Sequence, residues 1–114
     1  MTTKTTGAEW KRYYSDNSAW PEGACHDYEV ICVDGNQIDP DADLLEIPDS
    51  ASMTIAHGTV FPTREALDGP SLELHFKRWR KAQNTVFFAC EAPRACADAV
   101  MAAILAAGGR VHAL

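Results

Sequence analysis

The sequence contains no lysine or arginine between Tyr13 and Thr63, although ten of its sixteen acidic residues lie in that span. The carboxylates there have no basic residue near them in the sequence. The whole chain of 114 residues carries a formal net charge of −6, which favours solubility and argues against broad binding to nucleic acid. We therefore expect one half of the chain to present an acidic surface.

Long apolar runs are also lacking, and none approaches the ~18 residues that a membrane-spanning helix needs. The threonine-rich start, Met1 to Gly7, lacks the charged and apolar regions of a signal peptide. These absences predict a cytoplasmic protein that does not contact a membrane. In that compartment the cysteines are expected to be reduced, and they are Cys25, Cys32, Cys90 and Cys96.

Recognisable catalytic and metal-binding motifs are absent from the sequence. There is no nucleophile elbow, no glycine-rich phosphate loop and no HExxH motif. The run Asp39 to Asp43 resembles the start of a calcium-binding loop, but Leu44 and Ser50 stand where that loop needs glycine and glutamate. The cysteine spacing does not fit a structural zinc site and is typical of small buried apolar residues. We predict no catalytic residue, no metal and no cofactor.

The length indicates one domain, and the patterns predict its class. Residues 1–7 are expected to be a disordered tail, and residues 8–114 a single α+β domain. We predict a mostly antiparallel sheet of about four strands with a C-terminal helix packed on one face. Strands are predicted near Tyr28–Val33, Ser52–Phe61, Leu72–Arg80 and Thr85–Glu91.

Local signals support these elements. Leu72, Leu74 and Phe76 alternate with polar residues, which is the two-residue period of a half-buried strand. The pair Asp34-Gly35 is a strong turn signal after the strand that ends at Val33.

Helical signals also occur outside the predicted strands. Pro93 suits the first turn of a helix that Gly108-Gly109 would end. In the N-terminal stretch Ala8–Ser15, aromatic residues recur at helical spacing, and we expect either a short helix or an extended arm that docks by its aromatic side chains.

The acidic half favours a small protein-binding module, such as an inhibitor, immunity or regulatory protein, whose partner has a basic surface. In composition the chain is similar to small phage-borne inhibitors of restriction and CRISPR systems, which are also short, acidic and without catalytic motifs. A homodimer is compatible with this interpretation. The predicted partner-binding residues are Asp39, Asp41, Asp43, Glu46, Tyr13, Tyr14 and Trp20.

An alternative interpretation is a nucleic-acid-binding module built on a basic and aromatic strand at residues 75–81. Basic side chains there alternate with aromatic rings, as in platforms that bind single strands. Strand alternation breaks at this point, because Arg78 and Arg80 would face the same side as the apolar Phe76. The residues of this alternative are Lys77, Arg78, Trp79, Arg80 and Lys81. A small enzyme of unknown class is the third interpretation.

Overall fold

A four-stranded antiparallel sheet forms the centre of the computed structural model, which describes residues 2–112. The strands lie in the order β1-β4-β2-β3, and helices accompany them. The predicted α+β class is confirmed. The elements are β1 (Thr3–Thr6), α1 (Gly7–Tyr14), β2 (Cys25–Val33), β3 (Asn36–Gln37), β4 (Ser52–Phe61), α2 (Leu72–Gln83), a 3-10 turn (Arg94–Cys96) and α3 (Ala97–Ala106).

Strand β1 lies within the stretch that was expected to be a disordered tail. It pairs with β4, with Thr3 opposite Ile55, and the side chains of Thr3 and Thr5 are buried. Their hydroxyl groups donate to Glu73 and Glu9, which satisfies the polar atoms on burial. A strand of threonines and lysine gives no hydrophobic alternation, so the apolar pattern did not reveal it. Met1 and residues 113–114 lie outside the described residues.

Helix α1 forms in the stretch that was expected to be a short helix or an extended arm, so the helical alternative is the correct one. The Thr6 side chain accepts a hydrogen bond from the Glu9 backbone and caps the helix N-terminus. Trp10 and Tyr13 are buried on its inner face. A side chain at Gly7 would place its Cβ 1.9 Å from the Pro48 carbonyl oxygen, so glycine is required where the chain passes from β1 into α1.

The turn between β2 and β3 was also predicted. Asp34 and Gly35 have φ values of 50° and 86°, the left-handed geometry that suits a two-residue hairpin. Pairing between β2 and β4 is irregular near Tyr28, which also has a positive φ of 61°. The predicted strands Tyr28–Val33 and Ser52–Phe61 are confirmed, and β2 begins earlier, at Cys25.

Helix α2 occupies residues that were predicted to form the strand Leu72–Arg80, so that prediction is wrong. Leu72, Phe76 and Trp79 are spaced by four and three residues and together form one buried helical face. The Ser71 hydroxyl accepts from the Leu74 backbone and caps the helix. The break in strand alternation disappears, since a helix turns Trp79 inward while Arg78 remains exposed.

The predicted strand Thr85–Glu91 is also wrong, because these residues lie outside regular secondary structure. Val86, Phe87 and Phe88 are 77–80% exposed. A helix was correctly predicted between Pro93 and Gly108, but α3 has no buried residue and packs against the adjoining 3-10 turn. The helix that packs on the sheet is α2, whose aromatic face fills the core better than the alanine-rich α3 does.

The core lies on one side of the sheet. Aromatic side chains from α1 and α2 meet the apolar side chains of β2 and β4 there, together with Leu44 and Ile47 from a loop. Residues on β2 and β4 that alternate with this set face the opposite side. We call Val30, Cys32, Thr54 and Ala56 the outer sheet face. All four are half-buried and uncharged, and Cys32 pairs directly with Thr54.

The chain is elongated, with extents of 61 × 35 × 24 Å and a radius of gyration of 18.8 Å. A compact domain of this length has a radius of gyration of about 13 Å. Among residues 2–112, no helix combines the length and the apolar character needed to cross a membrane.

Candidate functional site

The predicted acidic residues lie in one loop, residues 39–46, which we call the acidic loop. Leu44 in this loop and Ile47 just after it are buried in the core and hold the loop against the body. Carboxylates of Asp39 and Asp43 each accept a hydrogen bond from the backbone two residues further on, at 2.8 and 2.9 Å. The loop backbone is therefore ordered before any partner binds.

The four predicted carboxylates of this loop, those of Asp39, Asp41, Asp43 and Glu46, belong to exposed residues. In the described part of the chain, ion pairs form elsewhere, at Lys11–Asp49, Arg64–Glu22 and Arg80–Glu9, and His26 Nδ1 lies 3.2 Å from a Glu29 carboxylate oxygen. None of these pairs uses a carboxylate of the acidic loop. Its charge is thus left for solvent or for a partner.

One residue of the acidic loop was missed as a candidate. Leu45 is 48% exposed and lies between Asp43 and Glu46. Its neighbours Leu44 and Ile47 turn inward, which leaves Leu45 on the surface. The three-residue spacing of Leu44 and Ile47 was the only available sequence signal for this arrangement.

The three aromatic residues predicted to bind a partner differ in exposure. Tyr13 is fully buried, and its hydroxyl lies 2.6 Å from His75 Nδ1. Burial raises the pKa of Tyr13 far above its ordinary value, so the phenol keeps its proton. A side chain in this position cannot contact a partner while the core is intact. Tyr14 and Trp20 are half-buried at the surface.

The Trp20 ring lies next to two similar pairs, each made of a tyrosine and a histidine. The first is Tyr13–His75 and the second is Tyr14–His26, in which the tyrosine hydroxyl lies 2.7 Å from Nε2 of the ring. The Trp20 ring centroid is 4.9 Å from that of His75 and 5.5 Å from that of His26. We call these five residues the aromatic–histidine cluster. Four of the five lie within residues 13–26, but His75 is about fifty residues further on, and no sequence pattern indicated this grouping.

Two shallow depressions open on either side of Trp20. One, of about 300 Å³, is lined by Tyr14, Trp20, Ala24, Cys25 and His26. The other, of about 260 Å³, lies between the Ser18-Ala19 turn and α2, where His75, Arg78 and Trp79 contribute. Each depression gives solvent access to one histidine of the cluster.

The polar groups around the cluster have perturbed pKa values. Burial raises the pKa of Tyr14, and the nearby charges of Glu29 and Asp43 raise it further. The acidic loop thus acts electrostatically on Tyr14 through the charge of Asp43. Burial lowers the pKa of His75, which favours its neutral ring beside the Tyr13 hydroxyl.

Asp16 fixes the turn that carries Trp20. Its two carboxylate oxygens accept hydrogen bonds from Ser18 and from Trp79 Nε1, the latter at 2.9 Å. The bonds from Ser18 and then from Trp79 lower the pKa of this carboxyl. The Trp20 turn is thereby tied to α2.

The aromatic rings of the nucleic-acid alternative are buried, whereas most of its basic residues stay at the surface. Trp79 is only 9% exposed, and Phe76 is fully buried. Arg80 donates to Glu9 and to the Lys4 carbonyl, and its guanidinium lies 4.6 Å from the Phe76 ring centroid. Lys77, Arg78 and Lys81 remain as surface charges on α2 without exposed rings beside them.

The cysteines differ from the expected small buried residues. Cys25, Cys90 and Cys96 are exposed, and only Cys32 is half-buried. Within residues 2–112, no group of three or more histidine, cysteine, aspartate or glutamate side chains is arranged to hold a metal ion. His26 and His75 are bonded to tyrosine hydroxyls rather than to thiols.

Comparisons with known proteins returned no relative: no family model matches the chain, and neither a curated protein nor a solved structure shows significant similarity to it.

Proposed function

We propose that the protein is a small binding module that uses the acidic loop to engage a protein with a basic surface. The observation that carries this proposal is that the loop is held on the core while its carboxylates have no ion-pair partner among the described residues. A preordered surface loses little conformational entropy on binding. Unpaired charge of one sign attracts an oppositely charged partner and speeds association.

Apolar anchors lie beside this charge. Leu45 projects from within the acidic loop, and Tyr14 is close enough to Asp43 for that charge to raise its pKa. Trp20 lies next to Tyr14, with ring centroids 5.6 Å apart. Interfaces gain much of their affinity from aromatic and apolar anchors at the centre of a polar rim. Tyr14, Trp20 and Leu45 are therefore the anchors of the proposed interface.

The partner class follows from this chemistry. A carboxylate surface next to apolar anchors is complementary to a basic groove, including one that otherwise binds phosphate groups. The proposed role is that of a cytoplasmic inhibitor, immunity or regulatory protein that occupies such a groove. The nucleic-acid alternative is less favoured, because Phe76 and Trp79 are buried and cannot stack on bases.

The test removes the loop charge without removing the turn geometry. Asparagine retains the side-chain oxygen that caps each turn, so the loop variant should keep its fold. Tagged wild-type protein is used to capture partners from its host at low and high salt, and the captured protein is identified and titrated by calorimetry. The loop variant combines Asp39→Asn, Asp41→Asn, Asp43→Asn and Glu46→Gln.

A matched control removes four exposed charges elsewhere, through Glu22→Gln, Glu65→Gln, Asp68→Asn and Glu91→Gln. We expect the loop variant to weaken binding at least about tenfold, which corresponds to ~1.4 kcal/mol, and the control to bind nearly as wild type does. We also expect wild-type binding to weaken with salt. Equal binding by the loop variant and the control would exclude the acidic loop from the interface.

A further inference from the structure

The described chain leaves two apolar surfaces uncovered, and they lie on different parts of the molecule. The first is the outer sheet face, Val30, Cys32, Thr54 and Ala56, on the side of the sheet opposite the core. The buried side chains of α1 and α2 all belong to the core on the other side. The centre of this face carries valine, cysteine, threonine and alanine, and its margin is polar, because Lys4 pairs with Thr54 and Gln37 pairs with Cys32.

The second surface is the C-terminal segment, residues 85–112. Val86, Phe87 and Phe88 are exposed, as are Met101 and Leu105 of α3. The only charged residue in α3 is Asp98, in its first turn. An isolated ten-residue helix is marginal in water, and a helix that is apolar nearly all round is normally buried.

We propose that α3 of one molecule packs on the outer sheet face of a second copy, in a reciprocal dimer. Helix α3 has ten residues and is about 15 Å long. The alanines of α3 and the small residues of the outer sheet face allow close approach of the two backbones.

The position of α3 favours a second copy over the chain's own sheet. The stretch from Thr85 to Pro93 has no regular secondary structure, α3 has no buried residue, and the long axis of the molecule reaches 61 Å. The outer sheet face that α3 meets in this extended arrangement belongs to another molecule. When each molecule packs its α3 on the sheet of the other, both outer sheet faces and both helices are buried. This arrangement is a self-complementary interface of the kind that homodimers use.

Area and charge are consistent with a dimer. Phe87 and Phe88 are each 77% exposed, and a phenylalanine carries roughly 150–250 Å² of surface. Together with the aliphatic side chains, one C-terminal segment has several hundred Å² of apolar surface available for burial. In a reciprocal dimer two such segments are buried, and the total area approaches the ~1,200–2,000 Å² of a stable interface. Residues 85–112 contain two acidic and two arginine residues, so the segment is neutral although the chain is not.

The first experiment measures mass against concentration by sedimentation equilibrium. We expect wild-type protein to shift from 12.5 kDa to twice that mass as concentration rises. Ala56→Lys on the outer sheet face and Leu105→Lys on α3 should each raise the dimer dissociation constant by at least about tenfold. Leu67→Lys is the matched control, because Leu67 is 97% exposed outside both surfaces, and it should leave the constant unchanged.

A second experiment identifies the contact by disulfide formation between two kinds of molecule. One chain keeps only Cys32, and the other has all four native cysteines replaced by serine and carries Met101→Cys. Oxidation of the mixture should give a cross-linked heterodimer, because the docked helix brings the two residues within the ~7 Å Cα separation that a disulfide allows. A single chain that carries both Cys32 and Met101→Cys tests whether α3 packs on its own sheet, because that packing would give an intramolecular disulfide.

Three outcomes would overturn the proposal: a monomer at all concentrations, an intramolecular cross-link within a compact monomer, or a dimer that Ala56→Lys and Leu105→Lys leave intact. If the protein is an elongated monomer, the dimer is excluded, and a different protein becomes the candidate that covers these surfaces. The acidic loop takes no part in this dimer, so the proposed function stands or falls separately.

Discussion

At the scale of single residues, His75 is a partly buried titratable group that is enclosed by aromatic rings. Its Nδ1 lies 2.6 Å from the Tyr13 hydroxyl, and aromatic rings of Tyr13 and Trp20 lie against it. Arg78 is the nearby cation that also disfavours its protonation. Protonation therefore places a positive charge in a partly buried aromatic environment.

This environment predicts lower stability in mild acid. The pKa of His75 is lowered from 6.5 in the folded protein, mainly by burial, so below pH 6.5 the unfolded chain binds a proton that the folded chain does not. The free energy of unfolding should then fall as the pH decreases from 7 to 5.5. Because the ring is partly exposed, we expect a slope well below the ~1.4 kcal/mol per pH unit of one full proton.

Urea unfolding at pH 7.0, 6.0 and 5.5 measures this slope. His75→Gln keeps a polar partner for the Tyr13 hydroxyl and should make the slope shallower. His57→Gln is the control, since His57 is exposed on β4. An identical slope in His75→Gln and wild type would show that another group is responsible.

At the scale of elements, α2 has two faces with different roles. Arg80 lies on the side that meets β1 and α1, where it bonds to Glu9 and to the Lys4 carbonyl. The Arg80 hydrogen bond is the main reason that the pKa of Glu9 is lowered. Arg78, two residues earlier, is exposed.

The two arginines should therefore differ in their effect on stability. We expect Arg80→Ala to lower the free energy of unfolding by about 1–3 kcal/mol, because it removes charged hydrogen bonds and the contact with the Phe76 ring. Arg78→Ala should change the free energy of unfolding by less than about 0.5 kcal/mol. Urea unfolding of both variants at pH 7 gives the comparison, and equal losses would contradict the assigned faces.

At the scale of the whole molecule, the core is complete before the C-terminal segment begins. The last buried apolar residue in the described chain is Trp79. Helix α3 contributes no buried residue. The body and the C-terminal segment are thus expected to depend little on each other within one molecule.

A chain that ends at Asn84 should fold without the C-terminal segment. At micromolar concentration we expect its Tm to lie within about 4 °C of the full-length value. Such a shift corresponds to a change of less than about 1 kcal/mol in the free energy of unfolding. Circular dichroism melting and amide NMR spectra of both proteins provide the measurement. Loss of cooperative unfolding on truncation would show that residues 85–112 support the core.

Several features were predictable because they depend on neighbouring residues. The Asp34-Gly35 turn, the short aromatic helix α1 and the helix after Pro93 each have local signals that the fold retains. The exposure of the acidic loop was also predictable, because carboxylates without neighbouring basic residues are unfavourable to bury. The aromatic–histidine cluster was not predictable, because its members come from α1, the Trp20 turn, β2 and α2.

By itself, the sequence determined the α+β class and the separation of acidic and basic residues along the chain. Tertiary structure decided the state of residues 72–83. Leu72, Leu74 and Phe76 fit a strand, while Leu72, Phe76 and Trp79 fit a helix, so both periods are present in one segment. The helix is favoured because it buries Trp79 as well as Phe76 against Trp10 and Tyr13, and that long-range burial outweighs a local alternation.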